Sequence, residues 1–350
     1  MRVTAVVVTF NRKTLLLECL DALERQTHPL DRVLVVDNAS TDGTAQSVAG
    51  RPVDYLRLRR NGGGAEGFHY GVREALRGDG ADWIWLMDDD CEPAPDALER
   101  LLDTPAAGDP GVASVVPAVT LPSGDLLPMH RGHITRRPLR APIVALARET
   151  YERAEAPCDF ASFVGPLVRA SAARGAGPPL REAFIRFEDL EYCARLRQQG
   201  GMRLVPGARV THKEAVPLTG TDVRSLWRDF SRRGSFDGQW KGVDGLRNIV
   251  WAGRRHGFVG PLEAASYVAV QVARIVAFDD RKARTIRLYA TYAYDGWRGL
   301  FRNVPPGRWK RLAEVDDPVG FLNREALRYH EDVAEPVRRG GASVLPTAPE

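Results

Sequence analysis

The sequence predicts an α/β protein built on a mostly parallel sheet flanked by helices and followed by a mainly helical C-terminal region. Three observations carry this expectation. Short β-branched runs alternate with amphipathic helical stretches through the first third of the chain, as in βαβ units. Acidic and polar residues cluster where those apolar runs stop, and the carboxyl ends of strands are where open α/β sheets bind ligands. From about residue 221 the apolar spacing turns helical. A chain of 350 residues has room for roughly two domains. Residues 1–220 are expected to form the sheet domain and 221–334 a basic helical domain. Residues 335–350 lack apolar periodicity and are expected to be a disordered tail.

Each element has a local reason. Arg2–Thr9 is the first strand, residues 13–26 an amphipathic helix and Arg32–Asp37 a second strand that empties into Asp37-Asn38-Ala39-Ser40-Thr41-Asp42-Gly43. A third strand at Tyr55–Leu58 leads into Asn61-Gly62-Gly63-Gly64-Ala65-Glu66-Gly67-Phe68 and a helix to about Leu76. Those glycines let backbone approach a ligand closely, or make a tight turn before the helix. The Pro/Gly-rich stretch 104–145 shows periodicity only at Val112–Thr120 and is expected to hold a hairpin and a long loop over the site. Residues 187–199 form a helix closed by Gly200-Gly201, and Arg203–Thr211 a last strand ending at His212. Pro261 opens the apolar segment Leu262–Phe278, short of the roughly 20 residues that span a bilayer. A buried or interface helix is expected there. Residues 283–302 mix Arg284, Arg287, Arg298 and Arg302 with Tyr289, Tyr292, Tyr294, Trp297 and Phe301, which suits a membrane interface.

The most informative feature is Asp88-Asp89-Asp90 at the end of Trp83-Ile84-Trp85-Leu86-Met87. Three adjacent carboxylates are unfavourable unless cations compensate them, and strand alternation aims Asp88 and Asp90 the same way. Oxygen ligands favour Mg2+ or Mn2+. A solvated acidic turn or helix start reads the same residues equally well, since Glu92, Pro93 and Asp96 follow.

Composition sets limits. Cys19, Cys91, Cys158 and Cys193 are far apart with no metal-ligand or redox spacing, so no disulfide framework or zinc knuckle is expected, and a reducing cytoplasm fits. Val3–Val8 is too short for a signal sequence. The net charge is +4, yet residues 224–310 carry 17 Lys/Arg against 7 Asp/Glu. An anionic acceptor, an anionic membrane surface or nucleic acid could answer that field, as could plain solvent around an arginine-rich face.

Taken together, Thr9-Phe10-Asn11-Arg12, Asp37-Asn38-x-Ser40-x-Asp42-Gly43, the glycine segment, the aspartate triplet, Phe187-Glu188-Asp189-Leu190-Glu191-Tyr192 and His212 resemble the family 2 inverting glycosyltransferases of GT-A fold. The likeness covers roughly residues 3–215. Asn61-x-Gly63-Gly64-Ala65-x-Gly67-Phe68 followed by Trp85-Leu86-Met87-Asp88-Asp89-Asp90 looks most like the bacterial galactofuranosyltransferases. The resemblance implies a Mn2+ or Mg2+ ion held by Asp88 or Asp90 and His212, with the imidazole favouring Mn2+. It implies a nucleotide pocket lined by Thr9, Asn11 and Asp37, and donor contacts near Arg12, Asn61, Gly63, Gly64, Asp88 and Asp89. It makes Asp189 the general base and puts the acceptor against Glu188 and against Phe163 and Gly165, in the stretch Phe160 to Gly165, which reads equally well as a plain core strand. Taken singly, Glu188, Asp189 and Glu191 read as first-turn helix acids, Ser40 and Asp42 as turn caps. This chain departs from the family pattern in carrying Glu at 188 with no tryptophan before it. His130 and His133 are expected to be surface residues.

The implied activity is transfer of a sugar, galactofuranose from UDP-galactofuranose, to a glycan or polyprenyl-diphosphate-linked acceptor; a dTDP-rhamnose donor is the rival. The implied place is cytoplasmic, peripheral to the inner face of the cell membrane; a homo-oligomer is left open. A nucleotidyltransferase would share the architecture, but Thr9-Phe10-Asn11-Arg12 stands where its Gly-rich loop belongs. A non-catalytic nucleotide-sugar binder remains a different-class alternative. No nucleic acid partner is expected, since no helix-turn-helix or RNA-binding signature is present.

Overall fold

The computed structural model describes residues 1–339 apart from 79, 216–235, 237–238, 280, 305, 313–314, 316 and 332–336. Four strands, β1 (Val3–Thr9), β2 (Arg32–Asp37), β3 (Asp54–Arg57) and β4 (Trp83–Asp88), run parallel in the order β3-β2-β1-β4. Their register sets Thr9 opposite Asp37 and Val8 opposite Asp88. Three polar side chains of distant sequence positions therefore leave the sheet along one edge.

The near-continuous apolar runs follow from burial on both faces. Val3, Ala5 and Val7 of β1 pack with Leu16, Cys19 and Leu20 of α1 (Lys13–Glu24) on one side. Val6 and Val8 pack with Phe68 and Val72 of a helix on the other. After the short α2 (Thr44–Ser47), that helix is α3 (Gly63–Ala75).

Beyond β4 the sheet becomes mixed. It continues through β5 (Cys91–Pro93), α4 (Ala97–Leu102), α5 (Pro105–Gly108), β6 (Val112–Thr120), β7 (Arg131–Ile134) and β8 (Ile143–Ala145). Next come β9 (Ala156–Cys158), β10 (Phe160–Ala161), β11 (Leu167–Arg169), α6 (Ala170–Ala176), α7 (Glu188–Leu196) and β12 (Gly201–His212). Antiparallel β11 lies between β4 and β6, and β12 runs parallel to β6. The hairpin expected within 104–145 is β7–β8, which joins β10 in a small separate sheet.

The C-terminal helices are α8 (Trp240–His256), α9 (Pro261–Phe278), α10 (Lys282–Arg298), α11 (Pro306–Leu312) and α12 (Pro318–Glu331). Val243, Ile249, Leu288 and Tyr292 share one apolar cluster with Val116, Leu190 and Leu204, so α8 and α10 close over the β6–β12 side of the sheet. The boundary expected near residue 220 lies outside the described residues. Helix α9 is not buried: only Glu263, Tyr267 and Ile275 are covered, while Leu262 is 70% and Val276 51% exposed. Among the described residues it is the helix long and apolar enough, by length and composition alone, to cross a membrane. The tail expected to lack structure contributes β13 (Val337–Arg339), antiparallel to β3. Pairing with an open sheet edge uses backbone groups and needs no apolar periodicity, which is why composition missed it. The remainder of 335–350 lies outside the described residues.

Two glycines set how closely α3 sits on the sheet. A Cβ on Gly71 would lie 2.3 Å from Val6 Cγ1, and one on Gly67 2.4 Å from Val8 Cγ1. Overpacking a tight contact costs about 1–3 kcal/mol. Gly71→Ala is therefore expected to lower the urea midpoint by that equivalent with an unchanged m-value; an unchanged midpoint would show that α3 shifts freely.

Candidate active site

A cleft of about 550 Å3 opens at the carboxyl edge of β1 and β4, lined by Thr9, Arg12, Asp88, Asp89, Asp90 and His212 among others. The aspartates divide their work. Asp89 turns to β1, where Thr9 Oγ1 donates to Oδ2 at 2.7 Å and Arg12 Nη1 to Oδ1 at 3.4 Å. Arg12 also pairs with Asp90 at 3.0 Å and Glu214 at 2.9 Å. Among the described residues Asp88 has no such brace: burial first, then Asp90, Asp89 and Glu188, push its carboxyl well above the usual range. Burial lifts Asp89 to about 6 despite Thr9 and Arg12. At Asp90 burial acts upward too, but His212 and Arg12 outweigh it and hold the carboxyl below its ordinary value.

His212 ends β12, with Nε2 3.2 Å from Asp90 Oδ1. Among the described residues, Asp90 Oδ1 and His212 Nδ1 are both buried with no hydrogen-bond partner. Buried polar atoms without partners are unfavourable, so these atoms, with Asp88 beside them, fit a divalent cation. Among the described residues no three His, Cys, Asp or Glu groups form a cage. Mg2+ commonly binds one or two carboxylates and completes its shell with substrate phosphates and water. His130 corrects the surface assignment: its ring meets His212 edge-on at 5.1 Å, and its Nδ1 lies 2.7 Å from Ser162 Oγ. Burial, with Arg131 and His212 adding to it, draws the imidazole down to about 3, so it packs as a neutral ring. His133, paired with Asp159 and 42% exposed at the side chain, does lie at the surface.

The opposite wall is the start of α3 and the turn into α7. Asn61 Oδ1 accepts the Gly63 N–H at 2.9 Å, and Gly63 has φ +76° with Phe184 O only 2.1 Å from where a Cβ would stand. Gly64 faces Glu188 Oε1. Phe184, Arg186 and Phe187 have φ of 62°, 65° and 63°, unusual for bulky residues. Strain of this kind persists only when the surroundings over-determine it. Here Asn248 Nδ2 lies within hydrogen-bond reach of Ala183 O, Ile185 O and Arg186 O, and the fully buried Arg247 donates to Ala183 O. The turn delivers Glu188 to the cleft. Burial and the adjacent Asp189 raise Glu188 to about 8. Burial raises Asp189 to about 6, limited by the Leu190 N–H that its Oδ1 accepts at 2.7 Å.

A glycosyl transferase family 2 model matches residues 4–163. This segment is a family 2 glycosyltransferase domain. The domain is similar to the galactofuranosyltransferase GlfT1 of Mycolicibacterium smegmatis, 37% identical over 57% of this chain and 66% of that protein. It is also similar to the N-acetylglucosaminyl-diphospho-decaprenol L-rhamnosyltransferase of Mycobacterium tuberculosis, 29% identical over 63% of this chain and 78% of that one. The chain thus spans just under two thirds of the length of the galactofuranosyltransferase. In fold, it is similar to the structure of GalNAc-T7 with UDP, GalNAc and Mn2+, at TM-score 0.57 and 14% identity over 83% of this chain and 54% of that one. The architecture is GT-A.

The cleft gathers Thr9, Arg12, Asn61, Gly63, Gly64 and the triplet from the family 2 segment, and Glu188 and His212 from beyond it. Other expected residues lie elsewhere. Phe163 is in the core, its ring 4.2 Å from Phe68, and Gly165 is buried, with its carbonyl accepting from Trp85 Nε1. Neither lines the cleft; both lie in the bend between β10 and β11, which is packed into the core. Asn11 ties two loops together: its N–H donates to Ser40 Oγ and its Oδ1 accepts the Thr41 N–H. Asp189 sits beside Glu188 rather than among the lining residues. Sequence reasoning missed Trp240, Lys241 and Glu214 on the cleft wall; the basic-aromatic composition after 224 hinted at the first two, and nothing hinted at Glu214. Asp37 is fully buried, accepting Ser40 N–H at 2.8 Å, Arg57 Nη1 at 3.1 Å and the Tyr55 hydroxyl. Asp37→Ala strands those donors, with Arg57 partly solvated, so a stability loss of about 3 kcal/mol in urea unfolding is expected. A stable variant that merely lost nucleotide affinity would make Asp37 a direct ligand contact instead.

Proposed function

We propose that the protein is an inverting glycosyltransferase that moves a sugar from a nucleotide diphosphate donor to a glycan or lipid-linked acceptor. The observation that carries this is the cleft itself, with Asp88, Asp90 and His212 on one wall and Glu188 with Asp189 beside it across the opening. UDP-galactofuranose is the donor proposed first, because galactofuranosyltransferases are among the similar proteins. A dTDP-rhamnose donor is the second reading, favoured by similarity to a rhamnosyltransferase.

Asp88 or Asp90 together with His212 would hold Mn2+ or Mg2+. Bound there, the ion supplies positive charge to an anionic diphosphate leaving group. The chain's own residues divide the remaining roles. Arg12 keeps Asp89 and Asp90 ionised and fixed, and Thr9 holds Asp89 against β1. Glu188, raised to about 8, carries its proton at neutral pH and can donate a hydrogen bond to a substrate oxygen. Asp189, at about 6, is ionised there, and a base works best with its pKa close to the working pH. It takes the acceptor hydroxyl proton as that oxygen attacks the face opposite the leaving group.

Asp189→Asn is expected to reduce kcat by about 10^2–10^4-fold while leaving nucleotide affinity within about twofold. Glu188→Gln, which keeps a donor, should be milder. The reverse order would exchange their roles, and a protein with no turnover under any donor would be a binder. Because a raised carboxyl must lose its proton to act, the rate should fall as pH drops through about 6. Donor identity is settled by calorimetry with UDP, dTDP and GDP, with and without Mn2+. UDP binding that vanishes on chelation supports the first reading, dTDP preference the second, and metal-independent binding of all three removes the assigned metal role.

A further inference from the structure

Every carbonyl from Glu182 to Phe187, the stretch that turns into α7, has a partner, and most of those partners come from the C-terminal region. Phe184 stands at the centre of a γ-turn of the rare positive-φ form, with φ 62°, ψ -70° and the Ile185 N–H donating to Ala183 O at 2.8 Å. Arg186 and Phe187 follow with positive φ as well. Carbonyls on a chain bent this way need donors from outside the segment. Asn303 Nδ2 donates to Glu182 O at 3.0 Å, and Arg247 Nη2 to Ala183 O at 3.1 Å. Asn248 Nδ2 reaches Ala183 O at 2.8 Å, Ile185 O at 3.1 Å and Arg186 O at 2.8 Å. The remaining two point elsewhere: Phe184 O accepts the Ala65 N–H of α3 at 3.2 Å, and Phe187 O the Glu191 N–H of α7 at 3.1 Å.

Asn248 is buried in the middle of α8, where asparagine is a poor helix former and an unpaired amide is costly. Its surroundings fix which way the amide faces. Oδ1 accepts from Arg247 Nε and Nη2, each at 3.1 Å, and a flipped amide would set its oxygen against three carbonyl oxygens and its NH2 against a guanidinium. Arg247 is in turn held by Asn303 Oδ1 at 2.8 Å and Asp244 Oδ1 at 3.1 Å. Helix α10 is pressed behind it, since a Cβ on Gly296 would lie 2.4 Å from Arg247 O. The donors are therefore set in place before the turn meets them.

We propose that Asn248 is a positioning residue for the transfer: through the turn that it braces, it fixes Glu188 and Asp189 relative to the start of α3. The inference rests on the glycosyltransferase reading of the cleft. The bond from the Ala65 N–H to Phe184 O ties the same turn to the glycine wall, and Glu188 Oε1 lies 3.2 Å from where a Cβ on Gly64 would stand. One turn thus sets the spacing between that wall and the acid pair. A misplacement of about 1 Å can cost about 10^2-fold in rate. Without the Asn248 N–H groups, Ile185 O and Arg186 O lose the donor that pairs them here, and the positive-φ bend loses contacts that over-determine it.

The test follows three quantities on the full chain: UDP release from UDP-galactofuranose or dTDP release from dTDP-rhamnose with water as acceptor, UDP affinity in Mn2+, and amide hydrogen exchange. Asn248→Ala is expected to lower kcat about 10–100-fold, with donor KM and UDP affinity within about twofold. Exchange in residues 183–191 should quicken at least about tenfold, with β1 to β4 unchanged. Asn248→Asp keeps the volume but sets an oxygen where the N–H donors were, and should lose at least as much turnover. Asn303→Ala, which removes the outer support, should lose about threefold. A lower melting temperature with kcat unchanged would make Asn248 merely structural, and turnover of Asn248→Asp within about twofold of wild type would overturn the proposal. So would a fall in UDP affinity that matches the fall in turnover, since the whole cleft would then have loosened. Should neither Asn248 variant fold, Asn303→Ala decides: unchanged kcat and unchanged exchange in 183–191 would overturn it. No turnover by the wild-type protein with either donor removes the glycosyltransferase reading itself, and the positioning role with it.

Discussion

Negative charge crowded at one sheet edge is the constraint that organises this molecule. The register of β1 against β2 and β4 brings Thr9, Asp37 and Asp88 to a common edge, and the turn after β4 adds two more carboxylates. Each needs its own compensation, and the sequence provides it from far away. Arg12 comes from the first loop, His212 from the end of β12, and Asp37 is neutralised by Tyr55 and Arg57 of the adjoining strand. The partners of the triplet are therefore also the loops that wall the cleft. Asp88 has the weakest compensation and the most strongly raised carboxyl of the three, and Asp90 keeps an oxygen without a hydrogen bond.

The far wall depends on a different kind of constraint, backbone strain held in place. Phe184, Arg186 and Phe187 all have positive φ within four residues, at a cost of order 1–3 kcal/mol each. Asn248 and Arg247 reach across from α8 to the carbonyls of this turn, and Arg247 is itself fixed by Asn303 and Asp244 and stacked over Phe301. A second tie joins Glu191 of α7 to His256 at the end of α8. The C-terminal helices thus set the position of Glu188 and Asp189. They belong to the working part of the molecule, even though the family likeness ends before them.

How much of this was legible depended on whether the signal was local. The βαβ alternation, the triplet at a strand end, the acids opening α7 and the histidine closing β12 are written in contiguous residues, and the structure brings most of them to one cleft. Contacts made between distant segments left no such mark. Nothing around Asp37 in sequence shows that Tyr55 and Arg57 saturate its carboxylate. Nothing around Phe163 distinguishes an acceptor floor from the core position beside Phe68 and Tyr192 that it occupies. The glycine run shows the limit most clearly, because one motif serves two purposes. Gly63 and Gly64 shape the cleft, whereas Gly67 and Gly71 admit Val8 and Val6. Trp240 and Lys241 were invisible as site residues because composition reports a charge field without its location.

The cleft and a groove between α8, α9, α10 and the loop at Leu139–Ala141 carry opposite fields although they share a wall at Arg186 to Glu188. Carboxylates crowd the cleft, where Asp88, Asp89, Asp90, Glu188 and Glu214 face Arg12, Lys241 and His212. Protonation of Glu188 relieves part of this, but Arg12 is already bound to three of the acids, so a diphosphate entering alone meets net repulsion. On the proposed reading, an accompanying cation would offset that charge, as it would at the triplet. The groove beyond Arg186 presents the guanidinium groups of Arg140, Arg186 and Arg274 instead. Arg186 sits at the divide, tempering Glu188 on one side and helping to depress Lys241 on the other.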